Sequence, residues 1–126
     1  MSGDLTEHFS AKKMSCKCGC GFGMNPGDVS NALLTALESL RADFGRSVTI
    51  TSGCRCPAHN KAVGGKPDSR HLYGDAADIK VRGVPAAVVS LYCDKLVGTA
   101  GGVGSYPTFT HLDMRGDGKK ARWSGN

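Results

Sequence analysis

The chain has four histidines, at positions 8, 59, 71 and 111. Two of them stand near carboxylates at spacings that could do chemistry. His71 falls in Ser69-Arg-His-Leu-Tyr-Gly-Asp-Ala-Ala-Asp78, with Gly74 and Ala76 between it and Asp78. Those small residues keep the backbone close and uncrowded, so a hairpin-like bend can bring the imidazole and the carboxylate to one point. His111 falls in Phe109-Thr-His-Leu-Asp113, and joins them if the two segments are neighbouring strands. Two imidazoles and one carboxylate leave a fourth position open on a zinc ion, the arrangement of catalytic rather than structural zinc. Zinc brings the pKa of its water to around 7 and polarises a carbonyl under attack. A nearby carboxylate must then carry the water's proton to the leaving amine. Taken singly, His71 reads as a surface or capping histidine, Asp78 as a strand-end carboxylate and His111 as a half-buried strand residue. Only their joint pattern points to a metal.

Six cysteines sit at 16, 18, 20, 54, 56 and 93. The Cys16-x-Cys18-x-Cys20 spacing is tighter than the usual pairs of structural zinc sites. Three readings stay open: a second metal site built from Cys16, Cys18, Cys20 and Cys54 or Cys56, buried free thiols, or one or two disulfides formed after export.

The elements that must position these residues follow from the apolar pattern. Residues 1–24 read as an irregular N-terminal segment with a cysteine-glycine run, and 25–126 as one domain carrying the site. Val29, Leu33, Leu37, Leu40 and Phe44 recur at helical spacing with Ala36 on the same face. Asn25 suits the cap of that helix, Pro26 its first position, Asp28 its first turn and Gly45 its end. Ser47 to Ser52 alternates and predicts a strand, followed by Arg55 and a short helix from Pro57 to Gly64-Gly65. A loop leads to His71. Ala76 to Val81 predicts a second strand, Pro85 opens a second helix through Leu96, Gly98 to Gly104 becomes extended, and Phe109 to Met114 is the last central strand. Arg122 and Trp123 lie in the tail. Mixed helix and strand without βαβα repetition predicts an α+β fold, a single domain with a small antiparallel sheet flanked by helices.

The 126 residues suffice for one core. Lys and Arg outnumber Asp and Glu by 16 to 11, giving +5 at pH 7. A basic surface favours anionic partners, nucleic acid or the anionic wall of a bacterium. The chain has no concentrated basic run, one Trp, three Tyr and four Phe, which speaks against a dedicated nucleic-acid module. There is no apolar run long enough for a membrane span or a signal peptide. The expectation is a soluble domain made in the cytoplasm, which something else must deliver if it acts on cell walls.

Ser52-Gly-Cys-Arg-Cys-Pro-Ala-His-Asn60, followed by Ser69-x-His-x-x-Gly-x-Ala-x-Asp78, closely resembles the zinc D-Ala-D-Ala carboxypeptidase family. That family includes L-alanyl-D-glutamate endopeptidases of phage endolysins and murein endopeptidases. Gly102-Val-Gly-Ser-Tyr-Pro107 with Phe109-x-His-x-Asp113 and Arg122-Trp123 is similar to its small, single-domain branch, so the resemblance covers nearly the whole chain. It implies a hedgehog/D-Ala-D-Ala peptidase-like fold and a zinc peptidase domain over 25–126. It implies a hydrolase of amide bonds in peptidoglycan stem or cross-link peptides, expected as a monomer. It also implies one Zn2+ per chain, held by His71, Asp78 and His111. Arg55 faces the substrate, where a guanidinium pairs with a peptide carboxylate or the scissile carbonyl. The resemblance also implies that Ser69 lies near the substrate and that Tyr106 and Trp123 wall the cleft. The lack of a signal peptide fits a phage or prophage lysis protein acting at the bacterial wall. The bond cut stays open between D-Ala-D-Ala, L-Ala-D-Glu and a cross-link to diaminopimelate.

One departure matters. Several branches of the family place an acid three residues before the last histidine ligand, where it serves as base, and some place a histidine two before it. Here those residues are Thr108 and Phe109. Asp113, on the same strand face as His111 by alternation, is then the expected general base, or else orients His111 from behind. Asp75 is a weaker candidate and His59 an assisting group. The missing acid keeps an alternative in view: a non-catalytic zinc-containing wall-binding or structural module, as in hedgehog signalling relatives of the fold.

Overall fold

A computed structural model describes residues 5, 6, 8–25, 27–116, 118 and 120–125. Regular structure begins with a short helix, α1 (Ala11–Met14), inside the segment expected to be irregular. The segment is packed rather than loose: Phe9 and Met14 are fully buried, and Cys54 N–H donates to the Met14 carbonyl at 2.7 Å.

The long amphipathic helix, α2 (Asn31–Phe44), starts later than Asn25. Its cap is Ser30, whose Oγ accepts from Leu33 N–H at 3.3 Å. Asp28, expected in the first turn, instead accepts from the backbone N–H groups of Gly23 and Asn25, at 2.9 and 3.2 Å, and so ties down the loop before the helix. Short polar side chains compete with the helix in this way wherever they can bond nearby backbone. Pro26 lies outside the described residues. Gly45 closes the helix in the left-handed conformation, as the sequence predicts.

Next come β1 (Val48–Ser52), α3 (Pro57–Ala62), a single 3-10 turn over Arg70–Tyr73, β2 (Ala76–Val81) and α4 (Ala86–Val97). The chain ends in β3 (Gly102–Ser105), β4 (Thr110–Asp113) and β5 (Ala121–Ser124). The sheet runs β1-β2-β4-β3-β5. Its first four strands pair antiparallel, and β5 adds to β3 in parallel. The tail around Arg122 and Trp123 is therefore a strand. Three of its residues are half-buried and the fourth, Ser124, is exposed, so it carries no period; it is held by pairing with β3 and by Arg122, which donates to the carbonyls of Asp94, Gly98 and Gly101.

The sheet divides the molecule by its pleat. Ala77, Ile79 and Val81 of β2 and Leu112 of β4 join the core with Leu33, Leu37 and Leu40 of α2 and Val89, Cys93 and Val97 of α4. Thr110, on the same side of β4, bonds Ser90 Oγ at 2.9 Å and the Ala86 carbonyl at 3.1 Å. Successive strand residues face opposite ways, so Asp78, His111 and Asp113 stand on the other face. The hydrophobic core thus fixes one side of the sheet and presents polar residues on the other.

Candidate metal centre

Asp78 and His111 are direct partners across the β2–β4 ladder. Opposite residues of an antiparallel pair share a face with their Cβ atoms roughly 4.5–5.5 Å apart, so register alone brings this carboxylate to this imidazole. His71 arrives from the 3-10 turn. Ser69 Oγ caps that turn by accepting from His71 N–H at 3.3 Å. Gly74 ends it at φ +71, and a Cβ there would sit 1.8 Å from the Asp28 carbonyl oxygen. No other residue fits that closure, which Ser30 N–H completes by donating to the Gly74 carbonyl at 2.9 Å.

The far ring nitrogens set the tautomers. His71 Nδ1 lies 2.6 Å from the Gly53 carbonyl, which can only accept, so Nδ1 carries the hydrogen and Nε2 the lone pair. His111 Nε2 lies 2.9 Å from Asp113 Oδ2 and donates to it, leaving the lone pair on Nδ1. Those two bare nitrogens both point at one oxygen, Asp78 Oδ1, from 3.2 and 3.1 Å. Two neutral imidazoles cannot satisfy a carboxylate in this way. A cation must sit among the three, or the histidines must carry charge.

The spacing fits zinc. Bonds of about 2.0–2.1 Å to nitrogen and oxygen in a tetrahedron put ligand atoms roughly 3.3 Å apart, near the contacts observed here. The three ligand atoms all lie within 4.8 Å of one another, and all three residues are buried. Burial pushes the Asp78 carboxyl up, but hydrogen bonds to His111 and His71 outweigh it and hold the group well below the usual carboxylate range. Burial works against protonation of His111, yet Asp113 and Asp78 pull its pKa above the ordinary value.

Asp113 lies on the ring edge of His111 opposite the metal position. Its side chain is fully buried and accepts from Arg115 at 2.8 and 2.7 Å and from Gly102 N–H at 3.0 Å. Burial raises its pKa, and Arg115 and His111 more than reverse that. A carboxylate so enclosed does not line the cleft. Of the two roles expected for Asp113, the geometry provides for the orienting one.

The centre opens on a cleft of about 810 Å³. Arg55 lies on its wall, held by Ser52 Oγ at 3.0 Å, Asn60 Oδ1 at 3.3 Å and Asp78 Oδ2 at 3.2 Å. Ser69 and Tyr106 also line it. Trp123 Nε1 donates to Tyr106 Oη at 2.9 Å, Tyr106 stacks on Phe109 at 4.4 Å, and Trp123 leans against His111 at 5.0 Å. Among the described residues, Asp68 is the other carboxylate on the wall, exposed at the rim. Asp75 is turned aside into an ion pair with Arg70, and neither it nor His59 reaches the cleft. Sequence reasoning missed Arg115 and Asn60. Arg115 lies just past the end of β4, where alternation no longer says which way it points. Asn60 acts only because α3 folds it back onto Arg55, and its sole signal was its place in the Ser52-to-Asn60 motif.

Residues 7–113 match the family described as Peptidase M15. A 53-residue stretch is 42% identical to the zinc D-Ala-D-Ala carboxypeptidase of Streptomyces albus G, covering 40% of this chain and 21% of that protein. The matched stretch thus spans about a fifth of its curated relative.

Proposed function

The chain belongs to the peptidase M15 family, and on that premise we propose that it is a zinc peptidase hydrolysing amide bonds in bacterial peptidoglycan peptides. The observation that carries this reading is the convergence of one ring nitrogen from each of His71 and His111 on Asp78 at the wall of an open cleft, with Arg55 beside them. In this reading His71, Asp78 and His111 hold the metal. When bound, zinc would supply Lewis-acid polarisation of the scissile carbonyl and a water of lowered pKa.

The chain's own residues supply binding and orientation. Arg55 offers its remaining N–H donors to a substrate carboxylate or to the carbonyl oxygen as it gains charge. Its anchoring by Ser52, Asn60 and Asp78 pre-organises it, so little is lost in freezing it on binding. Asp113 and Gly53 fix the two histidine rings. Tyr106, Phe109 and Trp123 form an aromatic wall against which a peptide can lie. Lys66 and Lys120 stand exposed on the rim. Cationic walls suit peptides rich in free carboxylates, which is the chemistry of wall stem peptides.

Mass spectrometry of muropeptides and sacculi after incubation with zinc-loaded protein tests this directly, because the products name the bond. New amino groups from wild type and none from His71→Ala are expected. No new amino group from zinc-loaded wild type, or equal release by both proteins, would overturn the reading. Zinc-dependent retention on sacculi without cleavage would favour the non-catalytic wall-binding module.

A further inference from the structure

A second set of metal-ligand atoms converges away from the cleft. The sulfurs of Cys16, Cys18, Cys20 and Cys56 all lie within 4.8 Å of one another. Cys16 and Cys18 are 3.4 Å apart, Cys16 and Cys56 3.8 Å, and Cys18 and Cys56 3.5 Å. All are free thiols. Zinc–sulfur bonds of about 2.3 Å in a tetrahedron put the sulfurs roughly 3.8 Å apart, whereas a disulfide brings one pair to about 2.05 Å. The three separations among Cys16, Cys18 and Cys56 lie near the first spacing and far from the second.

We propose that Cys16, Cys18, Cys20 and Cys56 form a structural zinc site that clamps the N-terminal loop to the segment carrying Arg55. Local structure explains the unusual spacing. Cys16 N–H donates to the Phe22 carbonyl at 2.8 Å and Gly19 N–H to the Cys16 carbonyl at 3.2 Å. The loop is thereby closed so tightly that alternate residues can face one point. Cys56 arrives from the other side as the cap of α3. Backbone donors are aimed at the sulfurs: Cys56 N–H to Cys16 Sγ and His59 N–H to Cys56 Sγ, both at 3.4 Å. Such donors stabilise thiolates, the form that binds metal. Cys54, the other candidate for the fourth position, is buried in the core near the Asp28 carbonyl, where burial pushes its thiol up to about 12. Cys93 belongs to α4 and is fully buried in the core.

Four protein ligands close the coordination sphere, so this site holds structure rather than reacting. Soft thiolates exclude magnesium and calcium. Its consequence for the cleft is mechanical. Cys56 adjoins Arg55 in sequence, and the helix it caps carries Asn60, which holds the guanidinium.

Metal counting tests the site without any peptidase assay. Protein purified under reducing conditions should carry two zinc ions per chain by atomic emission. His71→Ala/His111→Ala should keep one. Cys18→Ser/Cys20→Ser, which alters two exposed thiols, should keep the other. Reconstitution with cobalt(II) should give a thiolate-to-cobalt charge-transfer band that survives in the histidine variant and vanishes in the cysteine variant. Should the cysteine variant fail to fold, the wild-type and histidine-variant spectra still decide. A single zinc in wild type, two disulfides among these four residues by intact mass, iron in place of zinc, or no thiolate band would each overturn the proposal.

Discussion

His111 Nε2–H donates to Asp113 Oδ2 across 2.9 Å, on the ring edge opposite the nitrogen that faces Asp78. In the proposed reading the bond gives Asp113 a positioning role. Loss of such a partner typically weakens metal binding by about 10–100-fold. Asp113→Asn should therefore lose zinc affinity by that factor, read by competition with a chromophoric chelator, and regain most of its activity in excess zinc. Unchanged zinc affinity with activity that excess zinc does not restore would instead make Asp113 the base.

Arg55 gives a different signature. Removing one pre-organised donor to a developing charge typically costs about 10²–10³-fold. Arg55→Ala should lose kcat/KM by that order while keeping its zinc content, since none of its atoms is a ligand. Arg55→Lys should recover little, because an ammonium cannot reach Ser52, Asn60 and Asp78 together as the planar fork does. Full activity in Arg55→Lys would reduce the role to charge alone.

Much of this centre was legible in the sequence because its geometry is local or follows from alternation. Asp78 and His111 meet because two alternating strands pair in register, and His71 meets them because Gly74 permits a turn that no side chain could enter. What was not legible depended on long-range placement. The alternation that put Asp113 on the face of His111 could not say on which edge of the ring its carboxylate would lie. Asn25 and Ser30 are both good caps, and only the use of Asp28 by Gly23 and Asn25 settles the start of α2. The choice between Cys54 and Cys56 turned on which one the strand end buried.

The charged groups give the metal-free protein a distinctive pH profile. Asp78 and Asp113 have depressed pKa values. Their contribution is complete above the ordinary carboxylate pKa of about 4 and is lost as pH falls below it. His111 is shifted upward, so its contribution is complete below the ordinary histidine pKa of about 6.5 and is lost as pH rises past the folded value. Chelator-stripped protein should be most stable between about pH 4.5 and 6.5. Zinc binding needs unprotonated imidazoles, so the Tm gap between loaded and stripped protein should widen as pH rises from 5 to about 8. A gap independent of pH would contradict histidine ligation.

The parallel edge strand supplies the last prediction. Gly104 and Trp123 are partners in the β3–β5 register, and a Cβ on Gly104 would lie 2.5 Å from the indole nitrogen. Gly104→Ala must therefore displace the ring that donates to Tyr106 and packs on His111. Overpacking of this kind typically costs about 1–3 kcal/mol. Trp123 is the single tryptophan of the chain, so its fluorescence reports the displacement without interference. The variant should show a shifted emission maximum, a lower Tm and a raised KM, with zinc content unchanged because no ligand moves with the indole. Wild-type emission and KM would mean that β5 slides to absorb the methyl group, and that the aromatic wall is set by Tyr106 and Phe109 rather than by Trp123.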